Sequence, residues 1–132
     1  MIVADASAIV EVLLAMPRAG EVRAALAGHS ELHVPEHFPV EALSALRRYT
    51  IRGELIDARA AEALAGLRDL RALTYPVIEL TADIWDLREV LTAYDAAYLA
   101  LARQLDVGLV TLDGGLAAAA SKEGRLAIEG VE

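Results

Sequence analysis

Two short apolar runs, Met1–Ala4 and Gly108–Leu112, each break off at an aspartate, Asp5 and Asp113. Runs this short are strands rather than helices. A continuously apolar strand is one covered on both faces. The segments between them are longer, rich in alanine and apolar at helical spacing. Strands that alternate with helices dictate an α/β fold with a mainly parallel sheet between helical layers. Right-handed crossovers then bring the carboxyl ends of the strands to one edge, where sites in such sheets form. Asp5 and Asp113 both belong to that edge.

The spacing predicts strands at 2–4, 32–34, 76–80 and 109–112, and a short last strand at 126–128. Helices are expected over 7–16, ending at Pro17, and 18–27, closed by Gly28. A longer helix over 35–52 has a proline-bearing start and stops at Gly53. Further helices are expected over 57–70, 82–91, 95–105 and 116–122. No linker, repeat or low-complexity tail interrupts the 132 residues, so one domain over 1–132 is expected.

Apolar residues make up 56% of the chain, too many for a disordered one. No apolar stretch of membrane-spanning length is free of charge, and the first residues lack a basic leader pattern. Cysteine is absent, which removes disulfides and thiolate metal sites and fits a cytoplasmic location. The net charge of −8 argues against a non-specific nucleic-acid binder, but not against a nuclease whose acidic centre holds cations. Lys122 is the only lysine. Arg18, Arg47, Arg48 and Arg52 could meet phosphate or form a solvated helix face.

Two further acids stand out. Glu41 lies in Pro39-Val40-Glu41-Ala42-Leu43, on one helix face with His37, Ser44 and Arg48. Asp95 heads an alanine-rich helix. Each of the four acids has a plain structural reading: Asp5, Asp95 and Asp113 as helix caps, Glu41 as a partner of a helix dipole. Taken together, clustered carboxylates repel and call for a cation, and hard oxygen donors suit Mg²⁺ or Mn²⁺. Ser7 and Thr111 stand beside the strand-end aspartates as hydroxyl donors. Glu21, Glu54, Glu62, Asp69, Asp86, Glu89 and Glu123 read as solvated faces. His29, His33 and His37 lack metal-ligand spacing and read as structural or surface residues. Trp85 reads as core, and Tyr94 and Tyr98 as packing residues.

The four acids in this order resemble the PIN-domain ribonucleases, especially VapC-type toxins of bacterial toxin–antitoxin pairs. The opening Val3-Ala4-Asp5-Ala6-Ser7 resembles the family's hydrophobic strand and D-A-S/T. Pro39-Val40-Glu41-Ala42 is similar to its helix glutamate. The stretch from Leu87-Arg88 to Tyr94-Asp95-Ala96-Ala97-Tyr98-Leu99-Ala100-Leu101-Ala102 is the most specific element, and Leu109-Val110-Thr111-Leu112-Asp113-Gly114-Gly115-Leu116 resembles L-V-T-x-D-x-x-L. Gly115 departs from relatives that carry a further acid there.

The resemblance implies a PIN-like three-layer α/β/α fold with four to five short, mainly parallel strands. It implies Mg²⁺-dependent hydrolysis of RNA phosphodiesters, with Mn²⁺ as the other candidate ion. Asp5 and Asp95 would make the central metal contacts, and Glu41 and Asp113 would complete the shell. A VapB-type antitoxin and a second copy of the chain are the implied partners. The RNA, whether tRNA, rRNA or another, is left open. Two other readings remain: a receiver or phosphatase with a phosphoacceptor aspartate, which needs a lysine near the site, and a non-catalytic protein-binding module.

Overall fold

The computed structural model describes residues 1–130; Val131 and Glu132 lie outside the described residues. Four strands, β1 (Ile2–Ala4), β2 (Leu32–Pro35), β3 (Ala72–Tyr75) and β4 (Leu109–Val110), form one sheet in the order β3-β2-β1-β4. Every pairing is parallel, with Val3 opposite His33 on one side and Leu109 on the other. The chain builds outward from β1 to β3 and then returns to lay β4 beside β1. The topological switch point therefore falls between β1 and β4, and the Asp5 N–H donates to the Val110 carbonyl across it (3.1 Å).

Helices α1 (Ala6–Leu13), α2 (Ala19–Leu26), α3 (Phe38–Ile51) and α4 (Asp57–Asp69) pack with one another, with α1 touching the other three. Helix α6 (Ala93–Leu105) packs on the sheet and against α5 (Thr81–Asp86) and α7 (Gly114–Lys122). The result is helices on both sides of a parallel sheet, as expected. Residues Ala96 to Ala102 of α6 are all buried. A helix apolar all round sits inside a core rather than on it. Small alanines let it lie close to the strands.

Four expected elements shift. The third strand is Ala72–Tyr75 and not 76–80, where Val77–Leu80 form a 3₁₀ turn. Pro76 has no N–H to give a ladder, and beyond it Ile78 turns outward, 75% exposed. The last strand reduces to one bridge between Leu126 and Leu109. Helix α3 begins at Phe38, because Pro35 is still paired with Tyr75 in the sheet. Helix α5 stops at Asp86, before the chain turns into Thr92, the extended cap residue of α6.

Trp85 is not core: it is 68% exposed and lies under the Arg88 guanidinium, 4.8 Å from the ring centre. Glu123 is not a solvated face either. It accepts from Arg103, which also reaches Asp83 and Asp86 and so ties α5 and α6 to the end of α7. His33 is buried in β2 with Nδ1 on the Tyr75 hydroxyl, a structural role. No helix among the described residues is long and apolar enough to cross a membrane.

Candidate active site

At the carboxyl edge of the sheet lies a cavity of about 520 Å³. Asp5, Glu41, Asp95 and Asp113 all line it, with Ser7, Ser44, Arg48 and Tyr94. Four different elements deliver these acids. Asp5 and Asp113 follow adjacent parallel strands at the switch point. Glu41 stands in the first turn of α3 and Asp95 in the first turn of α6.

Asp5 is the buried centre, only 4% exposed. Oδ1 accepts from the Ser7 hydroxyl (2.7 Å) and the Ala8 N–H (3.1 Å), and Oδ2 accepts from the Thr111 hydroxyl (2.7 Å). Both hydroxyls are aimed by the backbone. Ser7 Oγ accepts from the Leu112 N–H and Thr111 Oγ1 from the Asp113 N–H, so each proton is left for the carboxylate. Burial nevertheless pushes Asp5 up to about 6, against the three hydrogen bonds, with Asp95 adding repulsion. The capping reading of Asp5 is correct as far as it goes: the same carboxylate caps α1. A neutral serine would cap as well without the cost of burying charge.

Asp113 likewise caps α7, accepting from the Leu116 N–H (2.9 Å). Asp95 does not cap α6. That task belongs to Thr92, whose Oγ1 accepts from the Asp95 N–H (3.3 Å), so the Asp95 side chain is free for the cavity. Partial burial, then Asp113 and Glu41, raise its proton affinity. Glu41 goes the other way. Burial alone would raise it, but hydrogen bonds from His37 and Tyr98, with Arg48 nearby, hold it below the usual carboxylate range.

Tyr98 is the side chain that sequence reasoning left in a packing role. Its buried hydroxyl donates to Glu41 Oε1 at 2.6 Å. The clue was its place one turn after Asp95, which turns it to the same end of the helix. His37 Nε2 lies 3.3 Å from the same oxygen and donates to the Tyr94 carbonyl (2.9 Å). Together they tie the heads of α3 and α6, each bearing an acid. Tyr94 is not packed away: it is 66% exposed on the cavity rim.

The donor set is all oxygen and mutually repelling, which fits a hard divalent cation. As they stand, no three histidine or acidic side chains among the described residues are grouped tightly enough to hold an ion directly. Mg²⁺ keeps several waters and takes few carboxylates directly, which matches donors spread round a cavity. Lys122 is elsewhere, lining a separate cavity with Leu87, Val90 and Gly115.

The PIN domain profile matches residues 2–122. Ribonuclease VapC12 of Mycobacterium tuberculosis is 38% identical over 89% of this chain and 90% of its own. Ribonuclease VapC9 of the same organism is 43% identical over 86% of each chain. Among solved structures, M. tuberculosis VapC20, described as a sarcin–ricin loop cleaving toxin, superposes with a TM-score of 0.66 at 19% identity, covering 90% of this chain and 95% of that one. PAE2754 from Pyrobaculum aerophilum gives 0.64 at 24% identity, covering 89% and 84%. These two likenesses carry the fold alone. With the profile and the curated relatives spanning nearly its whole length, the chain belongs to the PIN-domain family, alongside the VapC ribonucleases.

Proposed function

We propose that this protein is a Mg²⁺-dependent endoribonuclease toxin held in check by a VapB-type antitoxin. The observation that carries the reading is the convergence of Asp5, Glu41, Asp95 and Asp113 on one cavity, in a chain related to VapC ribonucleases over most of its length. When bound, the ion supplies an acidified water as nucleophile and offsets charge on the scissile phosphate. The protein supplies position. Ser7, Thr111 and the Ala8 N–H fix Asp5 so that its carboxylate faces the cavity in one orientation. Tyr98 and His37 do the same for Glu41, keeping it ionised and ready to accept a metal or a proton. Asp95, unengaged in capping, completes the centre with Asp113.

The receiver reading loses its lysine, since Lys122 lines a different cavity. The binding-module reading fails to explain Asp95, which caps nothing.

Labelled RNA incubated with the purified chain tests the nuclease. Cleavage with Mg²⁺ that stops with chelator and is lost in Asp95→Asn is expected. A folded Asp95→Asn protein as active as the parent would remove the carboxylate centre. Expression alone should slow growth, and co-expression of a cognate VapB-type antitoxin should restore it. Harmless expression of folded protein would retire the toxin role and leave the nuclease standing.

A further inference from the structure

The acidic cavity borders a groove lined by two arginines. A second cavity of about 270 Å³ adjoins it and shares Ser7, Ala45 and Arg48 as a common wall. Beyond that wall it is lined by Tyr49 of α3, by Arg52 at the C-cap of that helix and by Glu11 of α1. Arg48 and Arg52 are one helical turn apart on one face, both exposed, so their guanidinium groups flank the same groove.

What sets these two arginines apart is that both line one groove beside the acidic cavity. Arg18, Arg59, Arg103 and Arg125 are each held by a carboxylate. Among the described residues, Arg48 and Arg52 make no ion pair. The groove's one carboxylate, Glu11, is occupied by the Arg18 backbone N–H (2.8 Å). With two guanidinium groups against one carboxylate, the groove is cationic where the cavity beside it is anionic. A phosphodiester strand laid over the acids is repelled by their carboxylates except where the cation sits. Its next phosphate meets two unpaired forks on one side. Guanidinium forks match phosphate oxygens in pairs.

We propose that the groove between α1 and α3 is a subsite for a phosphate of the RNA strand next to the scissile one, held by Arg48 and Arg52. This rests on the nuclease reading. The site binds substrate and transition state alike, because it touches no reacting atom. Its loss should raise KM and leave kcat in place. Arg52 is the clean probe, since it lines the groove and not the acidic cavity.

The experiment is cleavage of a single-stranded oligoribonucleotide at fixed Mg²⁺ over a series of KCl concentrations. The parent is compared with Arg52→Gln, Arg52→Lys, the Arg48→Gln/Arg52→Gln pair, and Arg68→Gln as an exposed arginine lining neither cavity. Removing one phosphate contact should flatten the slope of log(kcat/KM) against log[KCl] by about 0.7, and the pair should flatten it by about 1.4. KM should rise several-fold in Arg52→Gln with kcat held, Arg52→Lys should recover part of it, and Arg68→Gln should match the parent. A parent that cuts RNA while Arg52→Gln keeps its KM and salt slope overturns the subsite and leaves the nuclease reading intact. A drop in kcat alone would also overturn it, placing Arg52 in the chemistry. A parent that neither binds nor cuts RNA overturns both.

Discussion

Replacing Asp5 by asparagine should stabilise the metal-free protein while destroying its activity. Asp5 is pushed up to about 6 from an ordinary 3.8 by burial. The folded chain thus holds this proton more tightly than the unfolded chain does. Its contribution is most favourable below the unfolded value, falls as pH climbs through about 4 to 6, and is flat above. At 1.36 kcal/mol per pKa unit, keeping the charge buried at pH 8 costs about 3 kcal/mol. Asparagine removes that cost and keeps one oxygen to accept from Ser7 and the Ala8 N–H. Its amide nitrogen replaces Oδ2 opposite Thr111, whose hydroxyl already accepts from the Asp113 N–H and must turn its own proton away. That mismatch loses about 1 kcal/mol. The net gain at pH 8 is roughly 2 kcal/mol, a rise in Tm on the order of 5–10 °C for a chain of this size. The assay is thermal or urea unfolding of both proteins in chelator from pH 4 to 8. Their difference isolates Asp5 from the other acids. It should slightly favour the parent at pH 4, by about 0.5 kcal/mol, and favour the variant by pH 7. Mn²⁺ should then raise the parent's Tm and leave the variant's unchanged. A difference that is constant with pH, or a variant less stable than the parent at pH 8, refutes the buried-charge argument.

Tyr98→Phe should lower cleavage roughly tenfold and weaken Mn²⁺ binding, because Glu41 loses the hydroxyl that fixes it, while stability falls by only about 1 kcal/mol. Unchanged activity would show that His37 alone holds Glu41. Gly115→Asp should tighten Mn²⁺ binding in calorimetry without RNA. Gly115 has no positive φ, and an added Cβ would meet only Asp113 Oδ2 at an ordinary 3.5 Å; equal affinity in folded parent and variant would show that no ligand position is vacant there. Arg103→Met should cost about 1–2 kcal/mol of stability, measured by urea unfolding at low and high salt, because its carboxylates are partly wetted. A loss under half of that would reduce the cluster to surface pairing.

Legibility in the sequence followed burial. Ile2–Ala4 and the β4 run were readable because a strand covered on both faces is apolar without interruption. The edge strand Ala72–Tyr75 was not, since it alternates weakly and its exposed Leu73 and Thr74 carry no pattern. The stronger-looking Val77-Ile78 drew the assignment away. Trp85 misled because an aromatic is more often inside, and nothing local announces that Arg88 covers it. The four acids were readable by their places at strand ends and helix heads and by their resemblance to a family pattern. What held them was only half readable. Ser7 and Thr111 lie within two residues of Asp5 and Asp113, whereas the Tyr98 bond to Glu41 joins residues 57 apart and needs α3 and α6 to be packed first. Asp95 looked like a cap until Thr92 was seen to hold that position.

The interior of α6 sets the position of the chemistry as well as the density of the core. Ala96, Ala97, Ala100 and Ala102 keep the helix axis close against the sheet, and Asp95 rides on its first turn. A helix is a stiff rod, so a bulkier group anywhere along that alanine seam levers its end. A displacement of about 1 Å at a reacting centre can cost on the order of a hundredfold in rate. The seam is thus an alignment gauge. Substitutions there that leave the protein folded and cooperative would still move one carboxylate out of register with the other three, detuning the enzyme from a distance.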